Sequence, residues 1–226
     1  GVTAVTFSYW SIDDMKVAIK MLGEILGEDA TVKCDKYLAY LEGNIKLVSE
    51  KMDGKITERE TLYYINGVSN KGLYKTAGKG STNSACADLS YTTFATDALI
   101  ESPANKVDSE AILGVNPQNI MIGGVYQHFL YDELMSTSEW SNNAAVKTGN
   151  VFKVPMGISA WNRYGIEIAI MIPWTTAVVY PEVFDYDIVQ ETIDFYQEFS
   201  GYTLTEQQAH YILEGLTPSG EKEIAN

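Results

Sequence analysis

Apolar and polar positions change period several times along the 226-residue chain. The opening GVTAVTF mixes β-branched with small residues and predicts a buried strand over Gly1–Phe7. Immediately afterwards the period becomes helical. In SIDDMKVAIKMLGEILG, Ile12, Met15, Ile19, Leu22 and Leu26 fall on one face. Ser11 is suited to cap that helix, with Asp14 at its third position, and Gly27 ends it. A second helix is expected from about Ala30 to Met52, with Tyr37, Leu41, Ile45 and Val48 on one stripe and Gly54 as its stop.

From Thr61 strands and helices alternate. TLYYI reads as a strand, the following Gly-rich stretch to Ser84 as a long loop, and residues 84–100 as a helix. SEAILGVNPQNIMIGG predicts a short helix, a turn at Asn116–Pro117 and a strand ending in two glycines. Mixed helix and loop follow, then NVFKVP as a strand halted by Pro155. Three helices close the chain, over about 164–180, 185–200 and 205–214. Thr205 and Gln208 have the spacing of a capping box at the start of the last one. Strands separated by helices imply a mostly parallel sheet covered on both faces, with ligands bound beyond the carboxyl ends of the strands. Those ends are the loops after Ile65, Ile122 and Val154. The first strand is isolated in this scheme: either it joins the later sheet, or it is the end of a domain not otherwise represented.

Charge narrows the function. Thirty acidic against 16 basic residues give a net charge of −14, the opposite of a nucleic-acid-binding footprint. Cys34 and Cys86 are far apart and form no CxxC, and His128 and His210 are too scattered for a zinc motif. No metal bound directly by side chains is expected. No basic leader is visible, and the apolar run from Ile168 to Tyr180 is short for a bilayer span and contains Pro173, so a soluble chain is expected.

Candidate chemistry is sparse. GKGST at 78–82 lacks the GxxxxGK[ST] order of a phosphate loop, although Ser81, Thr82 and Asn83 can offer hydrogen bonds to a cleft. No G-x-S-x-G elbow is present. Tyr126 and His128 follow a strand end and can face the cleft, or His128 can be an ordinary edge histidine. Trp161, Arg163 and Tyr164, in WNRYG, follow the strand ending at Pro155. Arg163 can present a fork of donors to a carboxylate between two rings, or pair with Glu167 four residues on.

Several ordered stretches carry a resemblance: SEAILGVNPQNIMIGG, TSEWSNNAAVKTGNVFKVPMGISAWNRYGIE, VVYPEVF and DFYQEFSGYTLTEQQAHYILEG. Together they resemble the C-terminal lobe of periplasmic-type substrate-binding proteins of ABC importers for iron–siderophores, haem, cobalamin and related metal chelates. The helices from Ser11 to Met52 resemble the connection between the two lobes of that family. The resemblance implies an α/β fold: a three-layer αβα lobe over 59–226, an interlobe helical connection over 11–58, and in 1–10 the last strand of an otherwise missing N-terminal lobe. It also implies binding without catalysis, no covalently bound cofactor, and a ferric siderophore, haem or cobalamin as ligand. Its ligand-facing positions would be Trp161, Arg163, Tyr164, Tyr9 and Trp10, beside Ser81, Asn83, Tyr126 and His128. Glu110 would dock on the ABC transporter permease. An extracytoplasmic monomer is implied, with a lipid anchor open to its full-length form, and no nucleic-acid partner.

Overall fold

A computed structural model describes residues 4–7, 11–69, 72–102, 106–163 and 165–222. Two helices lead. α1 (Ile12–Leu26) is capped by the Ser11 hydroxyl, which accepts from the Asp14 N–H. Gly27, at φ +99°, turns the chain directly into α2 (Glu28–Met52). α2 is fastened to the later chain by two polar contacts in its buried stripe. Tyr37 donates to the Ile166 carbonyl at 3.0 Å, and Asn44 Nδ2 to the Ala169 carbonyl at 2.9 Å.

The sheet contains β1 (Thr61–Asn66), β2 (Thr93–Phe94), β3 (Asn119–Gly123) and β4 (Val151–Lys153) in the order β2-β1-β3-β4, and every pair is parallel. Alternation along β1 divides two cores. Leu62 and Tyr64 enter one with α2, α3 (Thr82–Leu89), α7 (Ile168–Val179), α8 (Ile188–Ser200) and α9 (Glu206–Leu213). Tyr63 and Ile65 enter the other with α4 (Ser109–Val115), α5 (Gln127–Ser136) and α6 (Ala144–Thr148). The result is an αβα lobe. α7 is buried along nearly its whole length, which explains why its sequence is apolar on every side. Among the described residues no helix is long and apolar enough to cross a membrane.

Three expectations change. Residues 4–7 belong to none of the four strands; an extended segment becomes a strand only with a neighbour for its N–H and C=O groups. Gly1–Thr3 lie outside the described residues. The helix expected over 84–100 ends at Leu89, because Tyr91 adopts φ +59° and the β-branched Thr92 and Thr93 lead into the short β2. Finally, Leu22 and Leu26 do not share the buried face of α1: they are 39% and 66% exposed.

Candidate functional site

β1 leads to β2 on one side and β3 leads to β4 on the other, so the topological switch point lies between the carboxyl ends of β1 and β3. Glycines close it tightly. The Gly67 N–H donates to the Gly123 carbonyl at 2.6 Å, and the Tyr126 N–H donates to the Gly67 carbonyl at 3.1 Å. A Cβ on Gly67 would sit 2.3 Å from the Gly123 oxygen, so side chains are excluded there and the accessible face is displaced outward. Tyr126, at the edge of this closure, is half-buried.

The loop after β4 is held from beneath. Glu167 precedes α7 and is 1% exposed. Its carboxylate accepts from the backbone N–H groups of Ile158 and Ser159 at 2.9 and 3.2 Å. Tyr196, from α8, lies 3.4 Å from the same oxygen and accepts the Trp161 indole N–H at 3.0 Å. Gly157 lies flat on that tyrosine, with room for no side chain. Burial, foremost, and the Glu167 charge push the Tyr196 phenol up, so it stays neutral and able to donate.

Above this support Arg163 is exposed and takes part in no ion pair among the described residues. The i, i+4 pairing with Glu167 does not form: α7 starts only at Ile168, and Glu167 turns inward to the loop backbone. Next to Arg163 are two buried polar atoms without partners among the described residues, the Tyr64 hydroxyl and Asn162 Oδ1. Both face Gly123, at 1.8 and 2.8 Å from where its Cβ would stand. Burial holds the Tyr64 phenol well above its ordinary pKa, with the Arg163 charge acting the other way. The arrangement can offer a guanidinium fork at the surface with a neutral phenol and an amide behind it.

The other sequence-derived candidates are distributed differently. Trp161 is fully buried, edge-on to Trp174, and supports the loop rather than facing outward. Ser81 is the N-cap of α3, accepting from the Ser84 N–H at 3.2 Å; Asn83 is half-buried in the same first turn. His128 Nε2 meets the Gly215 carbonyl at 2.8 Å, joining α5 to the end of α9, and burial lowers its pKa. Glu110 is exposed in the first turn of α4. Tyr9, Trp10 and Tyr164 lie outside the described residues. Tyr64, Asn162 and Gly123 are not among the sequence-derived candidates. The paired glycines closing β3 were the only available signal for this cluster. Among the described residues no three or more His, Cys, Asp or Glu gather as a metal group.

The parallel αβα lobe thus presents, beyond its strand ends, a loop with an arginine that forms no ion pair among the described residues. The chain belongs to the periplasmic binding protein family, which it matches over residues 1–156. Members of that family are non-catalytic binding components of transport systems and work outside the cytoplasm. A periplasmic solute binding protein from Veillonella parvula is 24% identical with a TM-score of 0.76, covering 93% of this chain and 63% of its own. The Haemophilus influenzae molybdate periplasmic binding protein MolA, bound to molybdate, is 22% identical with a TM-score of 0.73, covering 85% of this chain and 57% of its own. Helicobacter pylori CeuE in a Ni-His complex is 16% identical with a TM-score of 0.74, covering 93% of this chain and 65% of its own. The chain thus spans less than two thirds of the length of these solved relatives. No curated protein matches it.

Proposed function

We propose that this chain is the C-terminal ligand-binding lobe of the substrate-binding component of an ABC importer, capturing a metal chelate and delivering it to the permease. An iron–siderophore is the first choice of ligand, with haem and cobalamin as the other members of the class. The observation that carries the reading is Arg163: an exposed guanidinium with no ion pair among the described residues, on a loop fixed by Glu167 and Tyr196, in a chain of net charge −14. A fixed cation is suited to carboxylate or catecholate oxygens of a chelator, which would itself hold the metal. Tyr126 and, behind the loop, Tyr64 and Asn162 complete the face. Glu110, exposed on α4, is the proposed contact with basic residues of the permease. In this reading a further, N-terminal lobe supplies the opposite wall of the cleft, and α2 is the strut between the two. The working protein is a monomer outside the cytoplasm.

The test is quenching of intrinsic tryptophan fluorescence by ferric siderophores, haem and cobalamin, with free tryptophan as the control for absorbance by coloured ligands. Trp161, two residues from Arg163, is the local reporter. Saturable quenching beyond that control, weakened roughly tenfold or more by Arg163→Ala, supports the reading. Quenching that Arg163→Ala leaves unchanged removes Arg163 from the site.

A further inference from the structure

The segments beyond the strand ends carry a charge pattern opposite to that of the chain. Overall, 30 acidic residues stand against 16 basic ones. Yet residues 67–81 after β1 include lysines and no acid, 124–126 after β3 carry no charge, and 154–166 after β4 include Arg163 and no acid. The next acid along, Glu167, is turned inward and 1% exposed. Two lysines here are set against each other. Lys75 and Lys106 are partners in an isolated antiparallel bridge that joins the segment after β1 to the segment after β2. Beside it the Val107 N–H donates to the Tyr74 carbonyl at 3.0 Å, so the lysines occupy the closely spaced kind of antiparallel pair. Like charges directly opposite each other destabilise such a pair.

Neither lysine has an acidic partner among the described residues. Lys75 Nζ donates to the neutral Ser69 hydroxyl at 3.0 Å, and Lys106 is exposed. The acids of the adjoining segments have their own partners. Glu139 accepts from the Tyr74 hydroxyl, Asp108 caps α4, Asp97 accepts from Ser84, and Glu101 stands across a separate bridge from Lys79. The lysine pair also adjoins the switch point. The Lys75 carbonyl accepts the Asn66 N–H at 2.7 Å, and Asn66 pairs in register with Gly123, the glycine that Tyr64 and Asn162 face. Cations therefore flank the β1–β3 closure twice, with Lys75 and Lys106 beyond β1 and β2 and Arg163 on the loop after β4.

We infer that the Lys75–Lys106 pair is a second anion contact of the ligand face, and that the ligand is a polyanionic chelate with charged oxygens at two separate places. An anion shared by the two ammonium groups offsets their repulsion, and flexible point charges need no fixed donor geometry to hold it. The local field is then positive in a chain that is acidic overall, which draws an anion to this face. The inference rests on the chelate-binding reading above and narrows its class to catecholate or polycarboxylate chelates, against uncharged hydroxamate chelates and cobalamin.

The test is equilibrium dialysis of two ferric chelates, a trianionic tricatecholate and an uncharged trihydroxamate, against the chain and its Lys75→Gln, Lys106→Gln and double variants. The parent chain is expected to bind the tricatecholate at least about tenfold more tightly than the trihydroxamate. The double variant is expected to lose about tenfold of that affinity at low salt and less at high salt. Equal binding of the two chelates overturns the inference. Tricatecholate binding that falls with Arg163→Ala but not with the double variant also overturns it, and leaves the chelate reading standing. If neither chelate binds, the chelate reading fails, and thermal unfolding with pyrophosphate decides the anion contact. A midpoint raised in the parent chain but not in the double variant sustains the contact; equal shifts, or none, overturn it. Without any anion, Lys106→Gln is expected to raise the unfolding midpoint at low salt by removing the repulsion with Lys75. A lowered midpoint makes the pair structural and overturns the inference. Cosedimentation with phosphatidylglycerol vesicles that the double variant abolishes, with chelate binding unchanged, assigns the pair to a membrane surface and likewise overturns it.

Discussion

The Trp161 indole donates to the Tyr196 hydroxyl at 3.0 Å, joining the loop after β4 to α8. Neither residue is adjacent to the other in sequence, and neither is at the surface. Tyr196 in turn lies 3.4 Å from Glu167, whose carboxylate holds the backbone at Ile158 and Ser159. The loop that presents Arg163 is thus built on a buried polar chain rather than on its own turn residues.

Tyr196→Phe leaves the indole N–H without its acceptor in a dry interior. The expected cost is about 1–3 kcal/mol, read as a lower urea midpoint with an unchanged slope. Glu167→Ala removes the acceptor of two backbone N–H groups and is expected to cost at least as much. An unaltered midpoint for both variants would mean that the chain of contacts does not hold the loop.

Arg163→Ala should behave in the opposite way. The side chain is exposed and forms no ion pair among the described residues, so its removal is expected to change stability by less than about 0.5 kcal/mol. Its effect should be confined to ligand binding. A large fall in melting temperature would assign Arg163 to the architecture instead.

Gly123 and Tyr64 form a steric pair. A Cβ at 123 would stand 1.8 Å from the Tyr64 hydroxyl, so Gly123→Ala is expected to destabilise by about 1–3 kcal/mol. Tyr64→Phe alone removes an unpartnered buried hydroxyl and should be neutral or stabilising. Combined, the two should cost less than their sum, because the clashing atom is gone. Strict additivity in a double-mutant cycle would contradict this contact.

His128 gives a pH dependence of defined sign. Burial, the largest cause, lowers its pKa in the folded protein, with Lys153 and Lys222 adding to it, while the Gly215 carbonyl and Asp132 oppose it. The unfolded chain therefore takes up the proton first as the pH falls. This contribution is fully present above the unfolded value near 6.5 and is lost as the pH falls through the lower folded value. Melting temperatures between about pH 7.5 and 5 should fall less for His128→Gln than for the parent chain. Parallel curves would remove His128 from the pH response.

Much of the fold was legible because it is written in short-range pattern. Ser11 and Thr205 cap the helices they were expected to cap, and Gly27 ends α1 where the apolar period stops. TLYYI, NIMIG and VFK become strands in a parallel sheet, as the alternation with helices required. The break after Leu89 was not legible, since it depends on Tyr91 accepting a left-handed backbone, which nothing in its residue type favours.

The site divides along the same line. Sequence by itself determined that an arginine flanked by aromatics would follow a strand end, because strand, loop and helix are local. It also determined the all-apolar α7 that had to lie in the core. Only the tertiary structure decided that Trp161 faces inward, that Glu167 serves the loop backbone rather than Arg163, and that Tyr64, Asn162 and Gly123 meet beneath it. Those outcomes depend on contacts across tens of residues. Burial and hydrogen-bond satisfaction there are set by neighbours that chain spacing does not specify.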